Sequence, residues 1–330
     1  MKLINLLTLS FLLSHASAFV APLRTQSSNL QSTMFMTESS SSSSQEQNED
    51  SSNISRRDIF WKASIAASLT FLSPSFAGAE EASLPTGAAS AAVGSIKKVV
   101  VAGATGQTGS RILNKLLSEP KFTTTGGVRN AGKASKALGT SVSLKHLDVV
   151  EDSLETLTAT LKDAGADGLV IACGMNPSKN LLRMSAAAHE VDNVGTCKLI
   201  DAAKLAGIKK VVLVSSILTN GREWGQEDSA GFKITNAFGG ALDEKLVAEK
   251  YLRASGLDYT IVRPGGLQAK PPTGALSINA EDTLFSGEIS RDLVADVCIA
   301  SLNDPKASNK VLEIIENEGT PPKVFNGLSM

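Results

Sequence analysis

Gly103, Gly106 and Gly109 follow one another at three-residue spacing, and Arg129 stands twenty residues beyond the last of them. Residue types so placed can grip a phosphorylated nucleotide. Gly103 permits a tight turn, Gly106 lets the backbone approach a pyrophosphate, and Gly109 lets a helix pack closely on a strand. Thr105, Gln107 and Thr108 fill the turn and open the helix. The unpaired N–H groups of a first helical turn face the phosphates there, and the helix dipole favours their charge. The alternative is an ordinary strand-to-helix turn with incidental glycines. Context favours nucleotide binding: the run Val99-Val100-Val101-Ala102 precedes the glycines, and a helical pattern of Ile112, Leu113, Leu116 and Leu117 follows them.

Which dinucleotide is bound depends on the end of the second strand. A site for NAD(H) places an Asp or Glu about 20 residues past the glycines to hold the ribose diol. Here the chain reads Gly127-Val128-Arg129-Asn130. The planar fork of Arg129 can pair with a 2′-phosphate dianion and stack on adenine, and Lys133 and Lys136 add positive charge nearby. NADP(H) is therefore expected in preference to NAD(H), the competing reading being a solvated surface arginine. Asp148, followed by Val149 at the end of the third strand, is the edge partner expected for the adenine amino group, or else a cap for the next segment. Cys173-Gly174, after the fourth strand, is expected beneath the nicotinamide ribose, because ligands sit outside the carboxyl ends of such strands.

Those side chains need a frame. Strand-like runs cover 97–102, 123–128, 143–149, 168–172, 210–214, 259–262 and 310–315. Helical patterns cover 108–117, 133–138, 153–162, 191–206, 241–255 and 290–302. Alternating strands and helices mean a parallel sheet covered on both faces. With the glycine turn, this predicts an α/β fold, a doubly wound parallel sheet of the Rossmann type. It is expected as a single domain over 96–322 with a small C-terminal lobe on the substrate side and a tail over 323–330. Ser153 with Glu155 signals a helix start, and Gly207 and Gly256 signal helix ends.

Composition excludes several function classes. Lys and Arg number 32 against 33 Asp and Glu, a formal net charge of −1, and no basic block follows the leader, so nucleic acid is not an expected partner. Cys173, Cys197 and Cys298 lie far apart with no C-x-x-C, which suggests neither a disulfide framework nor a metal site. His146 and His189 lack neighbours at ligand spacing, so no metal is expected.

The first 95 residues are expected to be leader and linker. A basic start, the apolar run 3–13 and Ala16-Ser17-Ala18 make a secretory signal over 1–18. Segment 19–54 is rich in Ser, Thr, Gln and Asn, as in a transit peptide, with too little apolar surface to offset chain entropy. Ser55-Arg56-Arg57-Asp58-Ile59-Phe60 and the stretch to Ala79 form a twin-arginine-like signal ending in Ala77-Gly78-Ala79. The alternative is a transit peptide with an incidental Arg pair. Diluted by Ser and interrupted by Pro74, the stretch makes a poor anchor, so no permanent membrane span is expected in the mature form.

The junction Ala16-Ser17-Ala18-Phe19-Val20-Ala21-Pro22 resembles the bipartite plastid leader of diatom-like algae. That implies a plastid of the secondary type, with the thylakoid lumen favoured and the stroma as alternative. From Val99 to about Pro321 the chain resembles the atypical short-chain dehydrogenase/reductases of the NmrA-like group. The likeness rests on the glycine turn and on Val191-Asp192-Asn193-Val194-Gly195-Thr196, Leu213-Val214-Ser215-Ser216-Ile217 and the segment from Ala254 to Leu267. Asp282-Thr283-Leu284-Phe285-Ser286-Gly287 resembles the dehydrogenase-like subunit of the chloroplast inner-envelope translocon. That subunit carries a Pro/Ser-rich docking tail; with Met330 closing this sequence, its partner is not carried over.

The resemblance implies cofactor binding more strongly than carbonyl reduction. In standard members a Tyr four residues before a Lys moves the substrate's proton, and the Lys lowers the Tyr pKa and holds the ribose. Lys245 matches that lysine, but the tyrosine's slot holds Ala241, and no Y-x-x-x-K occurs anywhere in the chain. Ser215 or Ser216 matches the catalytic serine, and Pro264-Gly265 the backbone against the carboxamide. Two readings follow. One is an NADP(H)-dependent oxidoreductase acting on a small molecule, with Lys245 orienting the ribose and Ser215 or Ser216 bonding the substrate. The other is a non-catalytic, NADP(H)-responsive redox sensor or assembly factor for a photosynthetic protein partner. In either, 218–240 could serve as a lid or docking loop, the alternative being a variable surface loop, which is the safer expectation.

Overall fold

The central strands are those with unbroken apolar runs. In β1 (Lys98–Ala102) every residue after the first is buried, and β4 (Gly168–Ile171) and β5 (Lys210–Val214) are buried throughout. Side chains alternate across a strand, so such runs need cover on both faces. Val99 and Val101 of β1 enter one apolar core, and Val100 and Ala102 enter the other. The computed structural model describes residues 95–176, 180–237, 239–321 and 328. The signal, transit and twin-arginine segments expected within 1–95 lie outside the described residues apart from Ser95, as does the tail over 323–330 apart from Leu328.

The remaining strands are β2 (Thr123–Val128), β3 (Leu144–His146), β6 (Asp258–Pro264), β7 (Gly266–Gln268), β8 (Ala275–Asn279), β9 (Glu288–Ser290) and β10 (Lys310–Asn317). The main sheet has eight strands in the order β3-β2-β1-β4-β5-β6-β10-β8. Its pairs are parallel except β10 with β8, and β7 and β9 form a separate parallel pair. The strand order reverses between β1 and β4, and a doubly wound sheet opens its ligand crevice at that point. The doubly wound parallel sheet is therefore the fold.

Helices α1 (Gln107–Leu117), α2 (Ala131–Leu138), α3 (Leu154–Asp163) and α4 (Leu181–Ala187) run ahead of a π-helical stretch, Ala188–Gly195. Then come α5 (Thr196–Ala206), α6 (Ala230–Asn236), α7 (Ala241–Ala254) and α8 (Arg291–Ser301). Helices α1 and α8 pack together, and α3 packs on α5. Ser153 caps α3 by accepting from the Thr156 N–H at 3.2 Å, and Gly207 ends α5 in the left-handed region at φ 75°.

Three expectations change. The third strand stops at His146, because Asp148 and Asp152 turn the chain: the Asp148 N–H donates to Asp152 at 2.7 Å and the Asp148 carboxylate accepts from the Val150 N–H at 3.0 Å. The helix expected over 191–206 begins in a widened π turn. Gly195 sits there so tightly that a Cβ would lie 2.7 Å from the Glu190 carbonyl oxygen and 2.9 Å from Val149. Segment 218–240 is not all loop: it contains α6, whose Phe232 joins Ile217, Leu218 and Leu242 in a small separate core.

Candidate functional site

A cleft of about 310 Å³ opens where β1, β2 and β4 end. Gly103, Thr105 and Gly106 form one wall, Arg129, Asp148 and Val149 another, and Cys173 and Gly174 the floor. Gln107 and Thr108 occupy the first turn of α1 just behind the glycines. Gly109 lies deeper. A Cβ there would come within 2.2 Å of the Gly103 carbonyl oxygen, so only glycine lets α1 start this close to β1. Gly103 has φ 78°, and a Cβ on it would sit 2.8 Å from the Ala172 carbonyl oxygen. No side chain caps α1 at Gly106. Its first N–H groups are thus left for an external acceptor, and the bare backbone leaves room for one.

The side chains around this cradle differ in what they are free to do. Arg129 is exposed and has neither ion pair nor hydrogen bond among the described residues. Asp148 is half-buried on the cleft wall, and its carboxylate caps the following turn by accepting from the Val150 N–H at 3.0 Å. Burial pushes the Cys173 thiol up to about 12, with the negative charge of Asp192 adding to the effect. A thiol so shifted is protonated at neutral pH, on a side chain that is only half-buried at the cleft.

Lys245, on α7, reaches the same floor. A Cβ on Gly174 would lie 3.9 Å from its Nζ and 3.5 Å from the Asp192 carboxylate. Nζ donates to Asp192 at 2.8 Å, and Asp192 also accepts from the Met175 N–H at 3.2 Å. The Asp192 side chain is 1% exposed. Asp192 was not among the residues singled out as functional by the sequence. The only available signal was its place in Val191-Asp192-Asn193-Val194-Gly195, the segment that becomes the π-helix.

The two serines part company. Ser215 is buried at the end of β5 and donates to Glu249 at 2.5 Å. Glu249 also accepts from Thr219 at 3.1 Å and from Arg263 at 2.6 Å, and all of these groups lie inside the protein. Ser215 is thereby tied into a buried network, away from the cleft lining. Ser216 is half-buried and its hydroxyl has no partner among the described residues. Pro264 and Gly265 are buried at the end of β6 and do not line the cleft; the Pro264 carbonyl accepts from the Ile217 N–H at 3.1 Å. Ala241, in the tyrosine's slot, is buried at the start of α7. Among the described residues no group of three or more His, Cys, Asp or Glu side chains is placed to hold a metal, and no helix is long and apolar enough to cross a membrane.

A reversed-order parallel sheet with a bare, uncapped glycine cradle at its switch point defines a nicotinamide-dinucleotide-binding domain. A family model described as NAD(P)H-binding matches residues 103–305, and the chain belongs to that NAD(P)H-binding family. It is 43% identical over 234 residues to an uncharacterized chloroplastic protein of Arabidopsis thaliana, covering 70% of this chain and 81% of that one. It is 34% identical to the chloroplastic protein TIC 62 of Pisum sativum, covering 68% of this chain and 43% of that one. Among solved structures it resembles ChuY, an anaerobillin reductase from Escherichia coli O157:H7, with a TM-score of 0.54 and 28% identity over 68% of this chain and 99% of that one. The chain is thus an oxidoreductase-like member with chloroplastic relatives.

Proposed function

We propose that this protein binds NADP(H) in preference to NAD(H), works in the plastid, and descends from oxidoreductases that use a tyrosine it has lost. The observation that carries the cofactor preference is Arg129. It stands on the cleft wall as an exposed cation without a partner among the described residues, where an NAD(H) site would carry a carboxylate. Gly103, Thr105, Gly106, Gln107, Thr108 and Gly109 form the cradle in which the free N–H groups of the first turn of α1 hold the pyrophosphate, the Gly106 N–H itself being given to the Gly103 carbonyl at 2.9 Å. Arg129 takes the 2′-phosphate, Asp148 and Val149 flank the adenine, and Cys173 and Gly174 underlie the nicotinamide ribose with Lys245. When bound, the nicotinamide supplies or accepts a hydride.

Of the residues assigned to chemistry, Lys245 lies near the cleft floor and Ser216 has no hydrogen-bond partner among the described residues, while Ser215 is committed to the buried Glu249. Lys245 orients the ribose, and Ser216 hydrogen-bonds a small-molecule substrate. The likeness to a reductase supports such a role. The second reading is an NADP(H)-responsive sensor or assembly factor for a photosynthetic protein partner. It is favoured by Ala241, which leaves the usual proton donor's place filled by a methyl group. Purified protein with NADPH and a panel of quinones, ketones and enones decides between them: oxidation of NADPH that falls on Lys245→Met supports the enzyme, and NADPH binding without turnover supports the sensor.

Plastid residence is supported by the chloroplastic relatives and by the leader pattern. The twin-arginine-like segment favours the thylakoid lumen over the stroma. Mass spectrometry of the native N-terminus tests this: a mature start near Glu80 places the protein in the lumen.

A further inference from the structure

We propose that Asp192, acting through Lys245, sets the balance between oxidised and reduced cofactor, so that the site binds both forms with comparable strength. This rests on the reading above that the nicotinamide end lies over Gly174 and Lys245.

The two forms differ by one charge at one place. The oxidised nicotinamide ring is cationic and the reduced ring is neutral, so any unbalanced charge beneath the ring discriminates between them. Lys245 brings an ammonium to the cleft floor, 22% exposed. Alone it would repel the oxidised form and favour the reduced one. Asp192 lies 2.8 Å from that ammonium and its side chain is 1% exposed, in a setting where water screens little. The pair is neutral as a unit. Asp192 is kept in place by the Met175 N–H and by the π turn it belongs to. A π turn widens the helix locally, and such turns recur where a helix must aim a side chain into a site. Here the widened turn packs at Gly195 against Val149 of the cleft wall and aims Asp192 toward Lys245. Asp192 is therefore a positioning and charge-balancing residue. Two further charges face Cys173 from the same cleft, Arg129 and Asp148, and these too are of opposite sign.

The test is the ratio of dissociation constants for NADP+ and NADPH, measured by calorimetry on the purified protein. In Asp192→Asn the ammonium is left unbalanced, and the ratio rises roughly tenfold against the oxidised form, the effect of one unit charge a few ångströms from another in a partly screened site. In Lys245→Met the carboxylate is left unbalanced, and the ratio moves the opposite way. In the double variant it returns toward the wild-type value. A merely structural defect weakens both forms alike and leaves the ratio unmoved, and that result overturns the proposal. If Asp192→Asn fails to fold, as judged by its thermal melt, the Lys245→Met shift and its reversal in the double variant still decide. If the wild-type protein binds neither form, the underlying functional reading falls, and this inference with it; if it binds both and the ratio is the same in every variant, only this inference falls.

Discussion

The hydroxyl of Ser215 is given to Glu249, 2.5 Å away, and the same carboxylate takes the guanidinium of Arg263 at 2.6 Å. Ser215 is thus part of the scaffold, while the hydroxyl of its neighbour Ser216 has no partner among the described residues. Ser215→Ala removes one partner of a buried charged acceptor and is expected to cost about 1–3 kcal/mol. Ser216→Ala is expected to stay within about 0.5 kcal/mol of wild type. Urea unfolding of both variants checks this; equal destabilisation would return Ser215 to the candidates for chemistry.

Arg263 joins distant parts of the domain. Its side chain is fully buried and bonds Glu249, Asp282 at 2.7 Å and Glu313 at 3.3 Å, while Glu313 accepts the N–H groups of Asp282, Thr283 and Leu284. Arg263→Met leaves Glu249 and Glu313 buried and uncompensated. Removing one partner of a buried pair costs about 3–5 kcal/mol, and a drop of that size is expected in denaturant unfolding. Combining Arg263→Met with Glu249→Met is expected to recover part of the loss.

Arg129 is exposed and has no partner among the described residues, so its loss is expected to leave stability unchanged. Charge-assisted hydrogen bonds to a phosphate contribute about 1.5–3 kcal/mol, so Arg129→Ala should weaken NADPH roughly 10- to 100-fold and leave NADH unaffected. Calorimetric titration with both reduced cofactors reads this directly. An unchanged preference would remove the argument for NADP(H).

Gly109 and Gly139 separate packing from backbone strain. A methyl at Gly109 meets the Gly103 carbonyl oxygen at 2.2 Å, while at Gly139, with φ 96°, nothing lies within 4 Å. Gly109→Ala is expected to separate α1 from β1 and abolish dinucleotide binding. Gly139→Ala is expected to cost on the order of 1–2 kcal/mol and spare binding. Thermal melts with and without NADPH distinguish the two.

Alkaline pH should destabilise the fold. Burial pushes Cys173 up to about 12 and Cys197 up to about 11, and it pushes Cys298 up further still. Unfolded thiols ionise near about 8.5, so above that pH the native state holds protons that the unfolded state has lost. This contribution is complete below the unfolded value and is lost as pH rises through the folded ones. Urea midpoints should therefore fall between about pH 8.5 and 11, with a shallower slope when the three cysteines are replaced by alanine.

Much of the frame was legible because its signals are local. The apolar runs of β1, β4 and β5 declare buried strands, and the ends of α3 and α5 follow from Ser153 and Gly207. The misses have local causes too, seen only in three dimensions. β3 is short because Asp152 captures the Asp148 N–H, and the helix before α5 is widened where Gly195 leaves no room for a Cβ against Val149. Helical periodicity does not distinguish a π turn from an α turn over so few residues.

By itself the sequence determined the glycine cradle, the alternation of strands and helices, the missing tyrosine and the cation at position 129, since each depends on residue type and short spacing. Tertiary structure alone decided which serine is free, that Lys245 is held by a carboxylate 53 positions away, and that Arg263 lies buried among acids. The physical reason is that backbone constraints and periodic burial act between near neighbours along the chain. Pairing of charges depends instead on where the folded sheet and helices bring remote residues together, and no local pattern records it.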